Sequence, residues 1–188
     1  MRRSGRTFLL IVVTGILLLV GNGCSGYTRV PKSYSHFWTG VRADLPDGWV
    51  RYNPALPDWV MTRDGLQLEN IKISVKRAGS KVEGSERRYQ SSMMPHEIAE
   101  LSLALLKVRD EVNDLEIESI DLVTIAERDG YFARATFEDD RGLTKRLQVF
   151  GAMIEGYVCE FWYIAEESIY YDKHRKAFEE IISTVHTK

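Results

Sequence analysis

Hydrophobic residues change their spacing several times along this chain, and each change predicts a different element. Phe8 to Val20 is an uncharged run of thirteen residues behind the cationic segment Met1-Arg2-Arg3-Ser4-Gly5-Arg6. It is too short to span hydrocarbon about 30 Å thick, which needs roughly 20 helical residues. "HFWTGVRADLP", His36 to Pro46, predicts a first strand, and Pro46-Asp47-Gly48 a turn before Trp49 and Val50. In "DWVMTRDGLQLENIKISVKR", Asp64-Gly65 is a two-residue turn signal, and Ile71, Ile73 and Val75 alternate with polar residues, so a hairpin is expected. "AGSKVEGSERRYQSS" carries Gly, Ser and charge with little apolar content and predicts an exposed loop.

Helical spacing follows. Ile98, Leu101, Leu105, Val108 and Val112 make one stripe of a helix that starts at Pro95, after the caps Ser91 and Ser92, and ends near Asn113. "LEIESIDLVTIAE" returns to period two, with Asp129-Gly130 as the next turn. "YFARATFED", "LTKRLQVFGAMI" and "YVCEFWYIA" then predict an antiparallel meander, turning near Asp139 to Gly142 and at Glu155-Gly156. A last helix begins near Glu166 or Ser168, with Tyr170, His174, Ala177, Phe178, Ile181, Ile182 and Val185 on its stripe. Strands, helix, a run of strands and a helix make an α+β domain, an antiparallel sheet with helices packed on it.

The N-terminal pattern reads as an address. A basic segment, an apolar run and small residues at Gly21 and Gly23 fit a secretory signal. Cys24 directly after Gly23 resembles the lipobox of bacterial lipoproteins, in which cleavage between Gly23 and Cys24 leaves an acylated cysteine as the mature N-terminus. The pattern departs from that family in having Gly21 and Asn22 where an apolar residue and a small one are usual; Leu19 and Val20 lie one step early. An ordinary secretory signal and an uncleaved anchor helix are the competing readings. Ser25, which is not Asp, favours the periplasmic face of the outer membrane over the inner membrane by the same resemblance. The expected organisation is therefore a signal peptide over 1–23, a lipidated N-terminus and polar tether over 24–35, and one domain over 36–188.

Cleavage would take 23 of 188 residues, leaving 165, enough to bury around 70% of the unfolded-chain surface. It would also take three of 25 basic residues and none of 27 acidic ones, leaving a net charge of −5. That balance gives no basic footprint and argues against nucleic acid as a partner. With Cys24 acylated, Cys159 has no disulfide partner, and its apolar surroundings predict a buried, inert thiol rather than a reactive one.

Chemistry is sparse. His36, His96, His174 and His186 show no zinc-ligand spacing, so no metal site and no cofactor are expected. No nucleophile elbow, P-loop or dinucleotide fingerprint occurs. "EDDRG", Glu138 to Gly142, reads as a solvated turn rather than an acid/base or calcium site. His174, on the apolar stripe of the last helix, is the best titratable candidate. A two-residue turn at Glu155-Gly156 pairs Glu160 with Gly151 and Trp162 with Val149, which puts a carboxylate on an apolar face. Either an arginine such as Arg134 or Arg146 neutralises it, or it faces a ligand. Trp38, Trp49, Trp59 and Trp162 build core or line a pocket. The cluster Lys76, Arg77, Lys81, Arg87 and Arg88 brackets the long loop, where it meets solvent, anionic headgroups or an acidic partner.

"DLPDGWVRY", the Pro-initiated helix, "ERDGYFARATFEDDRGLTKRLQVFGAMIEGYVCEFWYIA" and "FEEIISTV" together resemble the PsbP/Mog-type domain, over about 150 residues. The resemblance implies an α/β/α sandwich and a non-enzymatic binding or assembly module. Members include extrinsic subunits of photosystem II, a nuclear GTPase-binding protein and many bacterial lipoproteins. It supplies no catalytic residues, and the photosynthetic members' metal and partner contacts lie in segments without a match here. The combined expectation is a membrane-anchored cell-envelope lipoprotein that docks, without catalysis, on another envelope protein. The alternative is a periplasmic small-ligand carrier. Contact residues would come from Glu160, Trp162, His174, Arg87 and Arg88.

Overall fold

Alternation in the C-terminal half builds the centre of the molecule. In the computed structural model, which describes residues 26–82, 85–107 and 112–188, β7 (Val112–Ile125), β8 (Arg128–Asp139), β9 (Thr144–Ile154) and β10 (Tyr157–Glu166) form an antiparallel meander. β1 (Tyr27–Arg29), β4 (Val50–Tyr52), β5 (Trp59–Thr62) and β6 (Glu69–Arg77) extend it to eight strands, in the order β1-β4-β5-β6-β10-β9-β8-β7. Every pairing is antiparallel. β2 (Ser33–Ser35) and β3 (Arg42–Asp44) pair as a separate hairpin.

β10 is central, and its alternation serves two cores. Cys159, Phe161 and Tyr163 pack with Phe178 and Ile181 of α2 (Tyr170–Ser183), whereas Val158 and Trp162 pack with Ile98 and Leu101 of α1 (Pro95–Leu106). A strand buried on both faces cannot show a polar alternate, which is why "YVCEFWYIA" reads as almost continuously apolar. The predicted α+β architecture, an antiparallel sheet between helices, is the architecture found. The β2–β3 hairpin closes the α2 layer, with Arg42 N–H bonding to His186 O and Asp44 N–H to Thr184 Oγ1.

Several local expectations are corrected. The stretch 24–35, expected as a tether, is part of the fold over its described residues: β1 pairs with β4, Val30 packs on the core, and Tyr34 is buried. The segment His36 to Pro46 supplies a hairpin tip and β3 rather than one strand. The β5–β6 connection spans residues 63–68 instead of turning at Asp64-Gly65 alone. α1 starts at Pro95 as expected, but Glu97 reaches back to the Met94 N–H at 2.7 Å in place of a serine cap, and the helix ends at Leu106. Val108 lies outside the described residues, and Val112 opens β7.

The β7–β8 turn falls at Ala126 and Glu127, both with positive φ, not at Asp129-Gly130. Gly130 is instead a strand residue, where a Cβ would come within 2.6 Å of Gly151 O. The Glu155-Gly156 turn is where it was expected and sets the β9–β10 register. No helix among the described residues is long and apolar enough to cross a membrane. Gly23 and Cys24 lie outside the described residues.

Candidate functional site

Two glutamates are buried on opposite faces of the sheet. On the α1 face, Glu160 stands opposite Gly151, and Tyr131 stands on the other side of the same glycine in β8. A Cβ at Gly151 would lie 2.5 to 2.7 Å from the Tyr131 ring and hydroxyl, so only glycine lets that ring lie flat across β9. The Tyr131 hydroxyl then donates to Glu160 Oε1 at 2.5 Å. Ser102 Oγ of α1 donates to the same oxygen at 2.5 Å, and Tyr89 OH lies 3.0 Å behind Ser102. Trp162 Nε1 donates to Oε2 at 3.2 Å. Burial, with the Glu160 charge, holds the Tyr131 and Tyr89 phenols well above their ordinary range, so both remain donors. Neither arginine considered for this role is the partner: Arg134 bonds to Ser119 and Asp121, and Arg146 to Glu118. Both oxygens of the carboxylate are satisfied by neutral groups, and the network staples α1 and the loop before it to the sheet.

On the α2 face, Glu69 opens β6 and is 1% exposed. Its Oε1 accepts from Thr62 Oγ1 at 2.8 Å and from the Arg63 and Asp64 N–H groups at 2.7 Å each, which fixes the start of the β5–β6 loop. Its Oε2 is equally enclosed and has no hydrogen-bond partner among the described residues. The loop carries Asp64 to the solvent edge of α2. There Asp64 Oδ2 accepts from His174 Nε2 at 2.6 Å and from Lys173 Nζ at 2.6 Å. His174, and after it Lys173, hold the Asp64 carboxyl below its ordinary range. The His174 ring is 4% exposed and set edge-on to Trp49, with centroids 5.4 Å apart. Asp64, Glu69 and His174 each bring one ligand-type atom within 4.8 Å of the others. Sequence spacing excluded a metal site; the fold supplies a three-residue cluster from segments about a hundred residues apart.

On the α1 side, a cleft of about 580 Å³ is lined by Leu66, Leu68, Leu106, Phe137, Trp162 and Lys145 among others. Lys72 lies over the Trp162 ring at 4.9 Å. Glu160 does not line the cleft. At its rim, Asp139 of the "EDDRG" turn is bonded by Arg141 at 2.6 Å and approached by Lys145 at 3.6 Å. Burial opposes ionisation of Asp139, but Arg141 and the Leu143 and Arg141 N–H groups outweigh it and hold the carboxyl at about 2.

The remaining residues singled out from sequence are scattered. Arg87 and Arg88 are exposed, Arg88 is bonded to Gly79 O, and Lys81 is paired with Glu86. Trp49 and Trp162 are core, whereas Phe37 and Trp38 project from the β2–β3 tip at 85% and 68% exposure. Cys159 is buried, and burial pushes its thiol up to about 12. From sequence Asp64 reads only as a turn residue, and Glu69 carries no signal of a site. A glutamate beginning a strand beside a turn was the one local feature available.

No family model matches the chain, and no curated protein is significantly similar to it in sequence. Solved structures do share its fold. The solution structure of cyanobacterial PsbP (CyanoP) from Synechocystis sp. PCC 6803 aligns with a TM-score of 0.58 at 15% identity, over 89% of this chain and 96% of that one. The Ran-binding protein Mog1p of Saccharomyces cerevisiae aligns at 0.54 and 11% identity, over 85% and 96%. A protein from Bacteroides thetaiotaomicron aligns at 0.53 and 14% identity, over 84% of this chain and 48% of that one. The chain has the PsbP/Mog1-like fold.

Proposed function

We propose that this chain is a lipid-anchored cell-envelope protein whose domain docks on an envelope protein and catalyses no reaction. The observation that carries the docking reading is the aromatic pair at the β2–β3 tip. Phe37 and Trp38 pack edge to face at 5.0 Å and expose most of their surface, a costly arrangement for a free monomer and a common one for an interface anchor. The polar groups of the core point the same way. Glu160 is committed to the fold, Cys159 is inert, and among the described residues no nucleophile is bonded to His174, whose ring nitrogen is paired with Asp64. Mog1p is described as Ran-binding, so the same fold serves protein recognition elsewhere; fold alone transfers no partner. The basic segment, apolar run and Cys24 support the anchor, and Ser25 favours the periplasmic face of the outer membrane for the domain it would hold.

The test is mild cross-linking in the native organism with mass spectrometry of captured proteins, comparing the intact chain, Cys24→Ser and the double variant Phe37→Ser/Trp38→Ser. One protein partner lost from the double variant, with acylation of the Cys24 peptide retained, is the expected result. Capture that is indifferent to both changes overturns the docking reading, and an unacylated N-terminal peptide overturns the anchor. The cleft of about 580 Å³ favours a second reading, a carrier of a small amphipathic ligand, with Leu66, Leu68 and Trp162 against its apolar part and Lys145 at its polar end.

A further inference from the structure

We propose that Asp64, Glu69 and His174 bind a divalent first-row transition-metal ion. This inference stands on its own geometry and does not depend on the docking reading. The three residues come from the β5–β6 loop, the first position of β6 and the first turns of α2, and one donor atom of each lies within 4.8 Å of the other two. A tetrahedral ion with bonds of about 2.0 to 2.2 Å separates its ligand atoms by roughly 3.3 to 3.6 Å. Asp64 Oδ2 stands 2.6 Å from His174 Nε2, so Asp64, the exposed member, swings outward by about 1 Å to admit an ion between them.

The second observation is the state of Glu69. Its side chain is almost wholly enclosed, and Oε1 is held by three donors, so the carboxylate cannot turn away. Oε2 nevertheless has no hydrogen-bond donor among the described residues. A buried, fixed carboxylate oxygen without a partner is expensive, and a cation is the partner that would remove the cost. The fold spends nothing comparable at Glu160, where both oxygens are bonded.

His174 supplies the selectivity. Its ring is held edge-on to Trp49, and Nε2, now 2.6 Å from Asp64, is the nitrogen that would ligate. One imidazole with two carboxylates suits Zn²⁺ or a similar transition ion, whereas Ca²⁺ and Mg²⁺ favour all-oxygen shells. Lys173 already places a cation on Asp64 at 2.6 Å, but half of its side chain is exposed. It can swing into solvent as the ion enters, leaving Asp64 as the mouth of the site and a coordination position open to water.

The experiment is calorimetric titration of the EDTA-stripped full chain in detergent with ZnCl₂, alongside CaCl₂, repeated on Glu69→Gln, His174→Asn and Lys173→Met, with a thermal melt of each protein. Saturable 1:1 Zn²⁺ binding that raises Tm is expected, weakened by about tenfold or more in Glu69→Gln and His174→Asn. Glu69→Gln keeps an oxygen acceptor for the loop, so its melt shows that lost binding is not lost fold. Lys173→Met is expected to bind several-fold more tightly, because it removes the competing cation; a merely structural Lys173–Asp64 pair would show no such gain. Absence of saturable binding to the folded wild-type chain, undiminished binding in both ligand variants, or equal affinity for Ca²⁺ would each overturn the proposal.

Discussion

Glu160 and Glu69 are buried to the same degree on opposite faces of one sheet, yet they are finished differently. Around Glu160, Tyr131, Ser102 and Trp162 direct three donors at two oxygens. Around Glu69, three donors converge on one oxygen and leave the other bare. Burial of a carboxylate is therefore not what marks a site. The Glu160 centre holds a helix down, whereas the Glu69 centre holds a loop, leaves one oxygen without a donor among the described residues, and brings a carboxylate oxygen within 4.8 Å of ligand atoms of Asp64 and His174.

The largest expected effect breaks the satisfied centre. Glu160→Ala strands three buried donors, and a loss of about 4 kcal/mol in urea unfolding is expected. A loss below about 1 kcal/mol would mean that the network holds nothing down. Glu69→Gln, which retains one acceptor and removes an unpaired charge, is expected to cost under about 1 kcal/mol in the same assay. Equal losses for the two would erase the distinction drawn between them.

Next in size is Gly151→Ala, expected to cost about 2 kcal/mol because the added methyl meets the Tyr131 ring. Tyr131→Phe in the Gly151→Ala background should then cost less than in the wild type, since the hydroxyl has already been moved off Glu160; a double-mutant cycle measures this.

Asp139 sharpens the comparison from a third side, since its partners are the cations Arg141 and Lys145 rather than hydroxyls. Its folded value of about 2 lies below the ordinary 3.8, so the stabilisation is complete above that ordinary value and is lost as pH falls towards 2. Asp139→Asn is expected to be less stable than the wild type by about 2 kcal/mol at pH 7 and to match it only once the pH has fallen through and below about 2. A gap that persists at the acid end would assign the effect to packing. Smallest is the effect on reactivity at Cys159, on the face of β10 opposite Glu160. Burial, with the Glu160 charge adding to it and a Thr39 contact opposing, sets its thiol at about 12. Iodoacetamide is expected to modify it only at the rate of global unfolding, and fast labelling of the native protein would show that β10 is not sealed.

The Glu160–Gly151 register was legible because Glu155-Gly156 is a turn with a defined geometry, and pairing follows from it by counting. The partners were not legible. Tyr131 reaches Glu160 only by crossing a third strand over a glycine, and no local pattern reports what lies two strands away. The Asp129-Gly130 turn was misplaced because glycine there serves close strand packing, while Ala126 and Glu127 take positive φ without a glycine. β1 and β2 escaped notice since three residues are too few to show an alternation. The Asp64–Glu69–His174 cluster joins the N-terminal half of the sheet to the last helix, a proximity created by tertiary packing rather than by spacing.

The early start of β1 bears on how an anchored molecule would explore its surroundings. Tyr27 is hydrogen-bonded into the sheet edge three residues after Cys24, a reach of about 10 Å when extended. A lipid on Cys24 would thus hold the domain at the headgroups by one corner, with little freedom to tumble. Encounters would become a two-dimensional search with one side of the molecule always leading, and partners standing far above the bilayer would be out of range.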